Sequence, residues 1–117
     1  MDKIVEIGML IDFYGKLLTH KQYEIIDLYY NNDYSLGEIS EILGISRQGI
    51  RDSLKRSECI LYDFEEKLQL VEKFLLQKNI ISKLANKVAA LQEEYKDVEL
   101  NSKLLQIKKG LESLSLE

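Results

Sequence analysis

From the first residues onward, apolar side chains recur at alternating steps of three and four: Ile4, Ile7, Ile11, Tyr14 and Leu18. This spacing predicts a helix from about residue 2 to 18 with one apolar stripe. Thr19 and Gln22 form a capping box, in which each side chain satisfies a backbone donor at a new helix start. The helix they open, from about 20 to 31, carries Ile25, Ile26, Leu28, Tyr29 and Tyr30, and stops at the turn-forming run Asn31-Asn32-Asp33. Ser35 and Glu38 repeat the box. The next helix runs from about 36 to 43 and ends at Gly44, the residue type best suited to a left-handed cap.

Ser46 can cap a fourth helix, so only Gly44-Ile45-Ser46 joins the third helix to it. A turn this short, started by glycine, forces a steep crossing of the kind found in a helix-turn-helix. Ile39, Leu43, Ile45, Ile50 and Leu54 take the inward positions, and small Ser40 falls where the two helices touch most closely. An αα-hairpin without a ligand would satisfy the same caps and turn. Past Gly49, the residues Ile50, Leu54, Leu61, Phe64, Leu68, Val71 and Leu75 stay in phase, which predicts a fourth helix unbroken from 46 to about 77. A weak point near Asn79 precedes Ile81, Leu84, Val88, Leu91, Tyr95 and Val98. Beyond Asp97 come Leu100, Leu104, Ile107, Leu111 and Leu114.

The expected fold class is therefore all-α: a helix-turn-helix domain over 1–60, then a helical extension over 61–117 made of the rest of the long helix and the C-terminal helices. Three heptad-like seams are more apolar surface than 117 residues easily cover alone, which predicts a homodimer. Packing of the three segments within one chain is the alternative.

Composition narrows the function classes. There is no proline where average usage predicts about six, in keeping with long helices. One cysteine, Cys59, and one histidine, His20, exclude an internal disulfide, a thiolate-rich zinc site and any two-histidine metal motif. His20 follows a cap and has no matched nucleophile; Cys59 has no partner histidine; the six glycines form no phosphate-cradling loop. A non-enzymatic protein with no cofactor and no metal is expected. Apolar runs are far shorter than the 18 or so residues of a membrane span, and the first residues lack the basic patch and apolar block of a signal peptide. A cytosolic, reducing location is the matching expectation.

The net charge is −4, but it is unevenly spread. Residues 46–58 carry four Lys/Arg against two Asp/Glu, while residues 1–45 carry three against eight. An acidic chain binds polyanions poorly, so nucleic-acid contact must concentrate in that island. Ser46, Arg47, Gln48, Arg51, Lys55 and Arg56 are the candidate contacts: long donors near the start of a recognition helix reach base edges and phosphates. Asp52 opposes phosphate on that face, and pairing with Arg56 four residues on would neutralise it. Gly49 weakens the helix by about 1 kcal/mol relative to alanine, which points to a close approach there.

The stretch from Leu18-Thr19 to Lys55-Arg56, with Leu28-Tyr29-Tyr30, Ser35-Leu36-Gly37-Glu38-Ile39-Ser40 and Gly44-Ile45-Ser46-Arg47-Gln48, resembles region four of sigma-70-type sigma factors. That region reads promoter −35 elements through its helix-turn-helix. A wider likeness runs from Asp12-Phe13-Tyr14 through Asp52-Ser53-Leu54-Lys55-Arg56 to Glu65-Glu66-Lys67-Leu68 and is similar to the YlxM family, helix-turn-helix proteins encoded beside signal recognition particle genes in Gram-positive bacteria. The resemblance implies binding of DNA or structured RNA, with signal recognition particle components as further partners, and a regulatory role in that pathway. A transcription regulator unconnected with secretion and a helical protein adaptor are the other readings.

Overall fold

Capping side chains start each helix of the first half. The Asp2 carboxylate accepts the Ile4 N–H at 3.0 Å and opens α1 (Lys3–Tyr14). Thr19 and Gln22 exchange both arms of their box at 3.1 Å to open α2 (His20–Ile26), and Ser35 and Glu38 do the same for α3 (Leu36–Leu43). Ser46 Oγ accepts the Gly49 N–H at 3.0 Å and opens α4 (Arg47–Leu68). Helices α5 (Leu70–Glu94) and α6 (Val98–Leu114) follow. The computed structural model describes residues 2–114, and all regular structure among them is helical.

Two of the expected boundaries move. The first helix was expected to reach Leu18; it stops at Tyr14 and tightens into a 3₁₀ turn over Gly15–Leu17. A methyl group on Gly15 would lie 2.9 Å from the Tyr23 ring and 3.2 Å from Ile11 Cγ2, so this turn is drawn tight against α2. The second helix does reach Asn31, but its last turn widens to a π-helix over Asp27–Asn31. Asp27 fastens that turn: its carboxylate accepts the Asn31 amide at 2.8 Å and its carbonyl accepts the Asn32 N–H at 3.1 Å.

The chain forms two compact units, divided after Val71. In the first, α4 packs against α1, α2 and α3. Ile7, Ile26, Ile39, Ile50 and Leu61 are wholly buried, and Leu10, Ile11, Tyr14, Ile25 and Leu54 nearly so. Full burial of such a side chain contributes roughly 1.5–3 kcal/mol. Gly44 takes the left-handed conformation (φ 66°, ψ 31°) that the turn requires, and Ser40 donates its hydroxyl to the Ile45 carbonyl, tying the two ends of the turn together.

The fourth helix does not continue to 77. It is unbroken from Lys55 to Phe64, as expected, but ends at Leu68. Gln69 turns left-handed (φ 54°, ψ 32°) and α5 begins at Leu70. The cause is tertiary. Tyr14 is buried in α1, with its ring stacked on Phe64 at 6.0 Å. Its hydroxyl donates to Glu65 Oε1 at 2.6 Å and accepts the Leu70 N–H at 3.0 Å; the same Glu65 oxygen accepts the Val71 N–H at 3.0 Å. An uninterrupted helix would bond those two amides to carbonyls one turn back. Here two side chains take them instead, one from Tyr14, 56 residues before Leu70, and one from Glu65, six residues before Val71.

Asn79, expected to be a weak point, lies inside α5. The second unit changes helix at Tyr95–Asp97, where the Asp97 carboxylate accepts the Leu100 N–H at 3.0 Å. Of its seam residues Ile81, Val88 and Leu104 are buried, whereas Leu84, Leu91, Tyr95, Val98, Leu100, Ile107 and Leu114 are exposed.

Candidate nucleic-acid interface

Ile50, Leu54, Ser57 and Leu61 form one buried line along α4. This line fixes the rotation of the helix, so Arg47, Gln48, Arg51, Asp52, Lys55 and Arg56 are all exposed. Ser46 is exposed too, its oxygen engaged by the Gly49 N–H while its proton remains available to a ligand oxygen. The six candidates thus lie exposed on the cap and first ten residues of α4.

The turn itself explains Gly49. A methyl group there would come within 2.9 Å of Ile45 Cγ2 and 3.2 Å of Ser46 Oγ, so the close approach is that of the connecting residues.

Two carboxylates could weaken this face, and both have partners within the protein. Asp52 was expected to pair with Arg56; it accepts the Gln48 amide at 2.9 Å instead, so the i,i+4 contact runs toward the N-terminus. Glu58 receives Lys3 Nζ at 3.1 Å and the Tyr30 hydroxyl at 2.8 Å. Hydrogen bonding to Glu58 raises the Lys3 pKa, and burial followed by the Glu58 bond raises that of Tyr30. The ion pairs of the described residues engage none of Arg47, Arg51, Lys55 and Arg56. Four exposed cations that form no ion pair among the described residues therefore stand on α4.

Lys3 was missed from the sequence. It borders a shallow cleft with Lys55, Glu58, Cys59, Tyr62 and Asp63, and only the packing of α1 on α4 brings it there. Cys59 is exposed, and the exposed His20 side chain lies 3.9 Å from Glu24 in its own helix. Tyr14 is core, as expected, and Tyr29 and Tyr30 are half-buried with their rings edge-to-face at 5.0 Å.

Comparison with known proteins agrees with this geometry. The family UPF0122, described as "Putative helix-turn-helix protein, YlxM / p13 like", matches residues 1–101. A UPF0122 protein of Acetivibrio thermocellus is 47% identical over 114 residues, 97% of each chain. One from Bacillus velezensis is 45% identical over 96 residues, covering 82% of this chain and 87% of the relative. Another, from Caldanaerobacter subterraneus, is 62% identical over 72 residues, 62% of each chain. Among the described residues no helix is long and apolar enough to cross a membrane.

Proposed function

The chain belongs to the UPF0122 family of helix-turn-helix proteins, and from that premise we propose that it is a non-enzymatic nucleic-acid-binding regulator that docks α4 on DNA or structured RNA. One observation carries the reading: Arg47, Arg51, Lys55 and Arg56 are exposed together on the second helix of the turn, in an otherwise acidic chain, with no ion pair among the described residues to occupy them. Ser46 and Gln48 complete the surface. Ser46 donates to a phosphate oxygen, and Gln48 reads a base edge after exchanging Asp52 for it. Cations contribute salt-dependent affinity, while the amide contributes sequence preference.

The protein acts as a homodimer in the cytosol. The exposed apolar residues of the second unit are the surface through which two copies join, since large exposed apolar patches mark interfaces. Its place in the signal recognition particle pathway rests on the resemblance to the YlxM family. Crosslinking in cells, with the bound DNA, RNA and proteins identified in parallel, tests that placement.

Titration against duplex DNA and against structured RNA at several salt concentrations tests the chemistry. Four neutralised phosphates give a slope of log affinity against log salt of about −3.6 on B-DNA, shallower on single strands. Lys55→Ala lowers the slope by about one unit and weakens binding to all sequences alike; Gln48→Ala alters sequence preference more than affinity. Binding that ignores salt, or that survives replacement of all four cations by alanine, hands the turn to the protein-adaptor reading.

A further inference from the structure

The π turn after α2 and the loop that leads to α3 build a cleft of about 470 Å³, lined by none of the six candidates on α4. Three tyrosines wall it: Tyr29, Tyr30 and Tyr34. Each is held in place. Tyr30 donates its hydroxyl to Glu58 at 2.8 Å, and Tyr29 meets the Tyr30 ring edge-to-face at 5.0 Å. The Tyr34 N–H bonds to the Leu28 carbonyl at 3.0 Å, which folds the loop back onto the turn. Lys3, Ile4 and Asp33, the last left-handed at φ 63°, also line the cleft.

Aromatic walls with a few polar groups among them are the usual make-up of a ligand site, and the charge here is one-sided. Lys3, the cation in the lining, already pairs with Glu58 at 3.1 Å. The Asp33 carboxylate is exposed and has no ion pair among the described residues. The chain around it adds to the negative field: residues 22–46 hold Glu24, Asp27, Asp33, Glu38 and Glu41 and no Lys, Arg or His. Such a field repels a phosphate-bearing ligand and draws a cation. Ring faces beside a carboxylate hold a cation by two means, the carboxylate charge and the ring quadrupoles.

We propose that this cleft is a docking site for an arginine side chain of a partner protein, with the Asp33 carboxylate bonding the guanidinium and the tyrosine rings packing against it. Arginine suits the site better than lysine, because a planar guanidinium stacks on a ring and is more weakly hydrated than an ammonium. Ile4, 59% exposed beside the tyrosines, offers apolar contact to the residue next to that arginine. The first unit then has two surfaces of opposite demand: α4 takes an anion, and the cleft takes a basic segment of protein. The assignment goes beyond the nucleic-acid reading and uses none of the α4 cations, so either stands if the other fails.

A short blocked peptide with one arginine between two leucines, its citrulline counterpart and a single-stranded oligoadenylate are titrated into the isotope-labelled full-length protein, with amide shifts followed by NMR. The arginine peptide is expected to move the amides of residues 29–35 and to leave those of 47–56 in place. Citrulline keeps the shape and loses the charge, and should bind roughly tenfold more weakly. Asp33→Asn should weaken the arginine peptide roughly fivefold at an unchanged Tm, since asparagine tolerates the left-handed backbone as aspartate does. Tyr34→Leu should weaken it about threefold. Equal binding of the two peptides, undiminished affinity in Asp33→Asn, or no shift at 29–35 with the arginine peptide would each overturn the assignment. So would shifts there with oligoadenylate alone, which would make the cleft a pocket for an unpaired base.

Discussion

The unit that ends at Val71 and the unit that begins at Glu72 are built from the same three-four apolar spacing, yet they use it differently. In the first, Ile7, Ile26, Ile39, Ile50 and Leu61 from four helices are wholly buried. In the second, Ile81, Val88 and Leu104 are buried, while Leu76, at 62% exposure, heads a longer set with Ile80, Leu84, Leu91, Leu105 and Ile107. Periodicity states which residues share a face. It does not state whether anything covers that face. The first unit buries most of its stripe, with Ile4 left exposed at the start of α1, and keeps the polar side of α4 outward; the second leaves most of its seam residues exposed.

Truncation at matched positions breaks or sharpens this contrast, and it carries the largest expected effect. Leu61→Ala removes a wholly buried side chain and should lower the unfolding free energy by about 2–5 kcal/mol, read from denaturant titration. Leu84→Ala removes one that is 43% exposed and should leave the stability of the first unit within about 0.5 kcal/mol. Its effect should appear in light scattering instead. Wild-type protein at tens of micromolar is expected to be dimeric, and Ile80→Glu with Leu84→Glu should shift it to monomer. If the wild type is already monomeric, the exposed seam is not a dimer surface.

Where the sequence was legible, the determinants were local. Both capping boxes, the left-handed Gly44, the Ser46 cap and the basic side of α4 each depend on residues within about four positions of one another, and each stands where the pattern placed it. What was not legible depended on distant partners. Lys3 reaches Glu58 only after α1 has packed on α4, and Arg47 comes close to Gly37 only after α3 and α4 have packed together. Asp52 had two neighbours at equal spacing, Gln48 and Arg56, and spacing alone does not choose between them.

The junction between α4 and α5 gives the next effect in size. Tyr14→Phe keeps the ring against Phe64 but deletes the hydroxyl that serves Glu65 and the Leu70 N–H, and should cost about 1–3 kcal/mol. The same phenol supplies a pH test. Burial, with the Glu65 bond second, raises the Tyr14 pKa above its ordinary value of 10.0, and burial with the Glu58 bond does so for Tyr30. Below pH 10 both groups are protonated in the folded and the unfolded chain, and their contribution is complete. Above it the unfolded chain releases these protons first, so stability falls as pH climbs toward the raised folded values. Urea midpoints measured from pH 8 to 11 should therefore decline above about 10 in the wild type, and less steeply in Tyr14→Phe.

The smallest effect belongs to Gln69, and it isolates why the long helix was expected to continue. Glutamine is a good helix former, and residues 65–73 hold no glycine or proline, so their residue types alone do not stop a helix. The stop is imposed by Tyr14 and Glu65, which leave Gln69 at φ 54°, a conformation L side chains resist. Glycine has no such resistance. If tertiary capping sets the break against local preference, Gln69→Gly should stabilise the protein by up to about 1 kcal/mol, the strain relief outweighing the extra freedom of the unfolded chain. Gln69→Val, whose branched side chain tolerates the left-handed region worst, should destabilise it by a similar amount. If glycine destabilised the protein, residue 69 would be helical in solution and α4 would run on through it. The two substitutions, compared by thermal unfolding, therefore locate the end of the helix without a further structure.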